Sequence, residues 1–225
     1  PGHIRENIKG VFNQLMSAER ENVEYYENPV LAKNGEEKVV FWHNTVLTDE
    51  AGKITGTLSS GEDITERKRI EEELHIMSIT DELTGIYNRR GFLTLANQQL
   101  KTANRKKTGV LLLYADLDGL KLINDGFGHK EGDQMLVNAA NLLKTVFRES
   151  DIIARIGGDE FVVLSTEIPE MDIDALKSRF EKKLEDYNSK RNHIWRLSIS
   201  IGVIYIKQDG AYSVDELLVE ADKLM

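Results

Sequence analysis

The chain has 225 residues, of which 40% are hydrophobic and 30% are charged, so it has the composition of a globular protein and is neither collagen-like nor wholly disordered. Its length is about one and a half times that of a typical domain, which predicts one complete domain joined to part of another. The formal net charge of −9 argues against a nucleic-acid partner, because proteins neutralise phosphates with basic surfaces.

The first 65 residues have the pattern of one helix followed by three strands. Apolar residues between Ile4 and Leu15 recur every three or four positions, as on one face of an amphipathic helix. Three segments rich in β-branched and aromatic residues follow, and turn sequences separate them. We therefore expect an antiparallel sheet with strands at 23–30, 38–47 and 53–60.

Residues 65–79 predict a helix that joins two modules. Ile70, Leu74 and Met77 are spaced four and three positions apart, as in the seam of a coiled coil. So short a repeat fits a coiled coil and a solvated amphipathic connector equally well, and both interpretations stay open at this point.

From Ile79 onward, predicted helices and strands alternate. Helices are predicted at 90–102, 133–147, 173–187 and from 214 to the end, and strands at 109–115, 152–156, 161–165 and 195–206. Only four residues, Gly157 to Glu160, separate the second and third of these strands, so the two must form an antiparallel hairpin. The predicted fold class is α/β (α+β) with a mixed sheet.

Two turns in this second part carry neighbouring carboxylates. Asp116 and Asp118 follow an apolar strand, and Asp159 and Glu160 lie at the tip of the hairpin. Acidic side chains at the ends of neighbouring strands can converge, and in a chain without cysteine such oxygen donors suit Mg²⁺ or Mn²⁺. Two such ions can activate a hydroxyl and stabilise a phosphate during in-line displacement. For either pair alone, ordinary solvated turn residues are the alternative.

A second polar segment covers residues 119–133. Lys121 can contact a phosphate, and an Asn side chain such as Asn124 can recognise a guanine together with a carboxylate, either Asp125 or Asp133. The alternative is that Asp133 caps the following helix and Asn124 stabilises a loop. His129 in the same segment stays undecided between a structural and a functional role. The chain contains neither a GxxxxGK[ST] nor a GxGxxG phosphate loop, so a nucleotide would bind here in another way.

Taken together, these motifs resemble those of the GGDEF family of diguanylate cyclases. The naming motif of the family is present as Gly157-Gly158-Asp159-Glu160-Phe161. The resemblance extends over about residues 79–225. Its other parts are the segment 81–90, Asp116-Leu117-Asp118 with Lys121, Asn124-Asp125, Gly128-His129, Gly132-Asp133, Arg155-Ile156, Ser200-Ile201-Gly202 and Ala221-Asp222.

The resemblance implies a fold like the palm of nucleotidyl cyclases and polymerases. The implied reaction condenses two GTP molecules into cyclic di-3′,5′-guanylate (c-di-GMP) and two pyrophosphates. Each domain would bind one GTP together with two Mg²⁺ or Mn²⁺ ions, so catalysis would require a homodimer. By position, the implied metal ligands are Asp116, the Leu117 carbonyl, Asp159 and Glu160. The implied catalytic residues are Asp159 and Glu160. The implied GTP-binding residues are Asn124, Asp133, Lys121, Gly119, Leu120 and His129.

The resemblance also implies feedback inhibition. Arg148 and Asp151 stand at the position of the family's inhibitory Arg-x-x-Asp site, where product dimers bind. A guanidinium and a carboxylate suit the phosphates and guanine edges of such a product.

Residues 1–65 resemble the C-terminal part of a PAS sensor domain, through Asn34-Gly35-Glu36, Trp42 and the ending 61–68. The predicted organisation is a partial PAS domain at 1–65, a signalling linker helix at 66–79 and a GGDEF domain at 80–225 whose C-terminal end is truncated. The ligand that the PAS part senses is unknown. No apolar run in the sequence approaches the ~20 residues needed to cross a bilayer. The resemblance to a bacterial-type signalling domain implies a cytoplasmic location, with any membrane attachment upstream of this chain.

Two other functions compete with this one. A GGDEF domain that no longer turns over would serve as a receptor for GTP or c-di-GMP, although such domains typically lose an acidic residue of the hairpin, and Asp159 and Glu160 are both present. A related enzyme would make a mixed GMP-AMP product, but the carboxylate of Asp133 favours guanine on both sides.

Overall fold

The computed structural model describes residues 9–10, 24–166, 173–190, 194–207 and 212–224. The chain divides into two compact units, Pro1–His75 and Ile76–Met225. The helix predicted between residues 4 and 15 lies outside the described residues, apart from helical residues 9 and 10.

The first unit contains the predicted three-stranded antiparallel sheet. Its strands are β1 (Tyr25–Leu31), β2 (Glu37–Thr48) and β3 (Ile54–Asp63), with β2 in the centre. Gly35 and Gly52 adopt positive φ angles of 85° and 78° in the two connecting turns, a conformation that glycine adopts without strain.

Helix α1 (Thr65–Ile79) follows directly and runs from the first unit into the second. Asp63 lies shortly before the first helical residue and stabilises the start of the helix. Its carboxylate accepts hydrogen bonds from the backbone N–H and the hydroxyl of Thr65 at 3.0 and 2.6 Å. No residue of α1 is buried, and Leu74 and Met77 are 61% and 64% exposed. The apolar stripe predicted from the heptad spacing is therefore exposed on this helix.

The second unit is built around a mixed five-stranded sheet in the order β4-β6-β7-β5-β8. Only β4 and β6 run parallel, and the hairpin predicted around Gly157 is the antiparallel pair β6 and β7. The mixed α/β fold class is confirmed. The elements are β4 (Tyr87–Asn88), α2 (Arg89–Lys106), β5 (Val110–Leu117), α3 (Leu120–Phe127), α4 (His129–Val146), β6 (Ile152–Arg155), β7 (Glu160–Thr166), α5 (Ile173–Lys190), β8 (Ile199–Ile206) and α6 (Val214–Asp222).

Helices cover both faces of strand β5. Leu111 and Leu113 pack in one core cluster with residues of α4 and α5. Leu112 and Tyr114, which point to the opposite face, pack in a second cluster with residues of α2 and α6. This double burial explains why the sequence of β5 is almost continuously apolar.

Two predicted elements begin four residues away from their predicted start. Helix α4 begins at His129 instead of Asp133, so the interpretation of Asp133 as a helix cap is wrong; the break that precedes α4 is Gly128, with a φ of 89°. Strand β8 begins at Ile199 instead of Trp195. The reason is that the side chain of Asn188 takes both backbone hydrogen-bonding groups of Leu197, each at 2.8 Å, and so keeps them out of the sheet.

Helix α3 was not predicted at all. Left-handed Gly119 precedes it and Gly128 ends it, and it packs against α4. Among the described helices, none has the length and apolar character needed to cross a lipid bilayer.

Candidate active site

One edge of the five-stranded sheet brings together Asp116, Asp159 and Glu160, which we call the carboxylate edge. The antiparallel register of β5 and β7 places Asp116 directly opposite Glu160. The backbone N–H of Leu117 donates a hydrogen bond to the carbonyl of Asp159 at 2.9 Å. Residues directly opposite in such a pair have Cβ atoms about 5 Å apart. The four residues predicted as metal ligands are therefore neighbours.

Negative charge accumulates at the carboxylate edge. Burial raises the pKa of Asp116, and the charges of Asp159, Asp118, Glu160 and Asp222 raise it further. Within the described ranges, no three acidic or histidine side chains enclose a metal position by themselves. Mg²⁺ is commonly held by one or two carboxylates together with substrate phosphates. The edge therefore fits a cation that binds together with a nucleotide.

Asp118 has a different environment from Asp116, although the two stand in the same turn. Its carboxylate oxygens accept hydrogen bonds from the hydroxyls of Ser198 and Ser200 at 2.6 and 2.9 Å. The backbone N–H of Asp118 also donates to the carbonyl of Ser198 at 3.0 Å. Asp118 thus ties the end of β5 to the segment that leads into β8.

Glu160 has a hydrogen-bond partner that the sequence analysis missed. The hydroxyl of Tyr114, a side chain only 6% exposed, donates to Oε1 of Glu160 at 2.7 Å. Oε2 lies so close to Gly157 that a Cβ atom there would overlap it. The available signal was the alternation of β5, which puts Tyr114 and Asp116 on the same face of the strand.

The tip of the β6–β7 hairpin is held by Arg155. Its guanidinium donates twice to the carbonyl of Gly158, at 3.1 and 2.7 Å, and also contacts Asp81 at 3.2 Å. Asp81 in turn accepts hydrogen bonds from the N–H and hydroxyl of Thr84. Burial opposes ionisation of Asp81, but the bonds from Thr84 and the charge of Arg155 outweigh it and lower the pKa. These contacts connect the hairpin tip to the segment that precedes β4.

The predicted guanine-binding residues lie on two helices that pack together. Asn124 is on α3 and its side chain approaches α4 at Gly132, where a Cβ atom would overlap its Oδ1. Asp133 is the next residue of α4 and is exposed. The missing side chain at Gly132 therefore lets Asn124 lie next to the turn that carries Asp133.

The remaining predicted GTP contacts surround the start of the same two helices. Gly119 has a φ of 76° and precedes α3, while Leu120 is half-buried against the core. Lys121 on α3 and His129, the first residue of α4, are both exposed. Chain continuity places this group immediately after the end of β5.

The predicted inhibitory residues lie at the opposite end of β6 from the hairpin tip. Asp151 accepts a hydrogen bond from the backbone N–H of Arg148 at 2.8 Å and another from the hydroxyl of Ser165 at 2.6 Å. Both residues line a cavity of about 560 Å³, together with Lys144 and several apolar side chains. The structure thus brings Arg148 and Asp151 together, away from the carboxylate edge.

The chain is similar to proteins named as diguanylate cyclases and to proteins named as cyclic di-GMP phosphodiesterases. DgcM of Escherichia coli (strain K12), named a diguanylate cyclase, is 36% identical over 163 residues, which are 71% of this chain and 38% of DgcM. PdeR of the same organism, named a cyclic di-GMP phosphodiesterase, is 35% identical over 149 residues, which are 66% of this chain and 21% of PdeR. The chain therefore spans well under half the length of either relative.

The fold of the chain is similar to that of solved structures of GGDEF domains. The coiled coil and GGDEF domain of DgcB from Caulobacter crescentus, in complex with c-di-GMP, superposes with a TM-score of 0.61 at 25% identity, covering 70% of this chain and 84% of that one. The sequence profile described as "Diguanylate cyclase, GGDEF domain" matches residues 78–225. This span contains the carboxylate edge, the helices α3 and α4 and the β6–β7 hairpin. The chain belongs to the GGDEF diguanylate cyclase domain family.

Proposed function

We propose that this chain is an active diguanylate cyclase that condenses two GTP molecules into c-di-GMP and two pyrophosphates. The observation that carries the proposal is the carboxylate edge, where Glu160 of the hairpin lies directly opposite Asp116 of β5 and the carbonyl of Asp159 accepts a hydrogen bond from the neighbouring Leu117. A domain that had lost catalysis would have no need to keep three mutually repelling carboxylates in one place. Relatives named diguanylate cyclases support the same conclusion.

Each half of the reaction exchanges one phosphorus–oxygen bond. The 3′-oxygen of one GTP attacks the α-phosphorus of the other, the bond to the β-phosphate oxygen breaks, and pyrophosphate leaves with the electron pair. Asp159 takes or directs the proton of the 3′-hydroxyl. Asp116, the Leu117 carbonyl, Asp159 and Glu160 would hold Mg²⁺ or Mn²⁺, which would supply positive charge at the phosphates. A second attack in the opposite sense closes the ring.

Recognition of GTP is proposed for the start of α3 and α4. Asn124 donates to the guanine O6 or N7, and Asp133 accepts from N1–H and N2–H₂. Lys121 and the backbone of Gly119 and Leu120 contact the triphosphate. Because each domain holds one GTP, two copies must face each other, so we propose a catalytic homodimer.

Regulation is proposed at two places. The three-stranded sheet of the first unit would be the trailing part of a PAS sensor, which acts on the cyclase through α1. Arg148 and Asp151 would bind the product and inhibit further synthesis, and their shared cavity supports this role. Replacing Arg148 by Ala should then abolish inhibition by added c-di-GMP while synthesis continues.

The decisive experiment is incubation with GTP and Mg²⁺ followed by chromatographic identification of the product. We expect c-di-GMP from the wild-type chain and at least a 100-fold lower rate from Asp159→Ala, about the loss that removal of a key catalytic group causes. Glu82→Ala, which removes an exposed carboxylate elsewhere in the second unit, is the matched control. An undiminished rate in Asp159→Ala would refute the catalytic proposal.

A second candidate function is a receptor that binds GTP or c-di-GMP without turnover. The observation in its favour is that PdeR, named a phosphodiesterase, is nearly as similar as DgcM. Calorimetric binding of either nucleotide by a wild-type chain that makes no product would support the receptor function.

A further inference from the structure

We propose that Tyr114 is a positioning residue that holds Glu160 at the carboxylate edge before the metal ion and nucleotide bind; the inference rests on the proposed cyclase function. Its hydroxyl donates to Oε1 of Glu160 at 2.7 Å, and this hydrogen bond joins two residues 46 positions apart in the sequence. It is a direct link between β5 and the β6–β7 hairpin.

The position of Tyr114 is fixed by packing and not by solvent-exposed contacts. Its ring belongs to the core cluster beneath α2 and α6 and is 6% exposed. On β8, its pairing partner is Gly202, which has no side chain to compete for the same space. A buried ring in a close-packed core keeps its rotamer, so the hydroxyl is presented at a constant position.

Gly157 defines the other side of Glu160. Oε2 lies where a Cβ atom of Gly157 would be, so the carboxylate occupies a slot between the Tyr114 hydroxyl and the hairpin backbone. The hydrogen bond from Tyr114 therefore holds Oε1, and the absence of a side chain at Gly157 leaves the space that Oε2 occupies.

Electrostatics explains why such a restraint is needed and why a phenol suits it. Asp116, Asp159 and Glu160 repel one another, and the longer Glu160 side chain would relieve the repulsion by turning outward. A Lys or Arg partner would hold it but would also cancel the charge that attracts a cation. A tyrosine hydroxyl donates this hydrogen bond as a neutral group. The phenol thus orients Glu160 and leaves its charge intact.

The matched pair of variants is Tyr114→Phe and Tyr205→Phe. The first removes the hydroxyl and keeps the buried ring. The second removes a hydroxyl from a half-buried tyrosine of β8, opposite Leu111 and far from the carboxylate edge. Mn²⁺ binding is measured by electron paramagnetic resonance in the presence of a GTP analogue with a methylene group between the α- and β-phosphates.

We expect Tyr114→Phe to bind Mn²⁺ about tenfold more weakly, because a hydrogen bond to a charged group is lost. Its cyclase rate should fall at limiting Mg²⁺ and recover at saturating Mg²⁺, with an unchanged KM for GTP at saturation. Tyr205→Phe should match the wild type in each measurement. Unchanged or tighter Mn²⁺ binding by Tyr114→Phe would overturn the inference.

A double-mutant cycle with Glu160→Gln shows whether Tyr114 acts through Glu160. Adding Tyr114→Phe to Glu160→Gln should cause no further loss of Mn²⁺ affinity, whereas a further tenfold loss would mean that Tyr114 acts on the site in another way. The binding measurement needs no turnover. A wild-type chain that makes no c-di-GMP would therefore refute the proposed function and still leave the role of Tyr114 decided by Mn²⁺ binding.

Discussion

The two sheets of this chain differ sharply in how much of each strand is buried. In β5 of the second unit, every residue except Asp116 is buried. In all three strands of the first unit, only Asn28 and Asn44 are buried, and Leu58 is 62% exposed. Helices cover both faces of β5 and form a core cluster on each side.

The difference in burial suits different roles for the two units. The one half-buried residue of β5 is a predicted metal ligand, so a polar site sits at the end of the best-packed strand. Such a scaffold holds side chains in fixed positions, as catalysis of phosphoryl transfer requires. A sheet with little buried area opens at a lower free-energy cost, which suits a segment proposed to respond to a signal.

Core truncation should have the largest effect and should affect the two sheets unequally. Leu113→Ala removes a buried side chain of β5 and should lower the free energy of unfolding of the second unit by about 3–4 kcal/mol. Leu58→Ala on the exposed face of β3 should cost less than about 0.5 kcal/mol. The chain has two tryptophans, Trp42 in the first unit and Trp195 in the second. Urea unfolding is followed by tryptophan fluorescence in proteins that lack either Trp42 or Trp195, so that the signal reports the free energy of unfolding of one unit at a time. Equal losses of unfolding free energy in Leu113→Ala and Leu58→Ala would contradict the comparison.

The hairpin glycines test how far the rigid scaffold fixes the site. In Gly157→Ala the new Cβ overlaps Oε2 of Glu160, so the carboxylate must move, and we expect the cyclase rate to fall about 100-fold with little change in stability. In Gly158→Ala no protein atom lies within 4 Å of the new Cβ. Gly158→Ala should therefore leave Glu160 in place and keep a rate well above that of Gly157→Ala. A wild-type cyclase rate in Gly157→Ala would show that catalysis does not depend on the observed position of the Glu160 carboxylate.

Much of the carboxylate edge was predictable because its signals are local. Asp159 and Glu160 lie between two strands whose connection is too short for any arrangement but an antiparallel hairpin. Asp116 follows a run of residues that is almost continuously apolar. The roles of Asp118 and Tyr114 were not predictable. They depend on partners 80 and 46 residues away, Ser198 and Glu160, and a single sequence does not give the strand order that brings these together.

Helix α3 was missed for a different reason. Its sequence contains Asn124, Asp125 and Gly126, which favour turns when judged by local propensity alone. Packing of Leu120 and Ile123 against the core outweighs this preference. Tertiary contacts thus decide the conformation in the segment predicted to bind GTP.

The ion pair behind the hairpin should contribute stability that depends on pH. Asp81→Ala removes the partner of Arg155 and of Thr84 and should cost about 2 kcal/mol at neutral pH. The pKa of Asp81 is lower in the folded chain than its ordinary value of 3.8, so folding favours the ionised form. Its contribution is present above that value and is lost as the pH falls through the folded-state pKa. The stability difference between wild type and variant, from urea unfolding at several pH values, should therefore be constant at neutral pH and shrink below about pH 4. A difference that grows on acidification would contradict this origin.

The smallest effect on activity is expected from Gly132→Ala, which changes the proposed guanine-binding part of the site. This part lies on the packed helices α3 and α4 and not on the sheet. In Gly132→Ala the new Cβ overlaps Oδ1 of Asn124 and displaces it from its place next to Asp133. Loss of about one hydrogen bond to guanine should raise the KM for GTP about tenfold and change kcat less. Gly126→Ala on α3 meets no atom within 4 Å and should keep the wild-type KM. Initial rates at saturating Mg²⁺ separate the two parameters. If kcat fell and KM did not, Asn124 would be acting on the reacting groups and not on recognition of the guanine base.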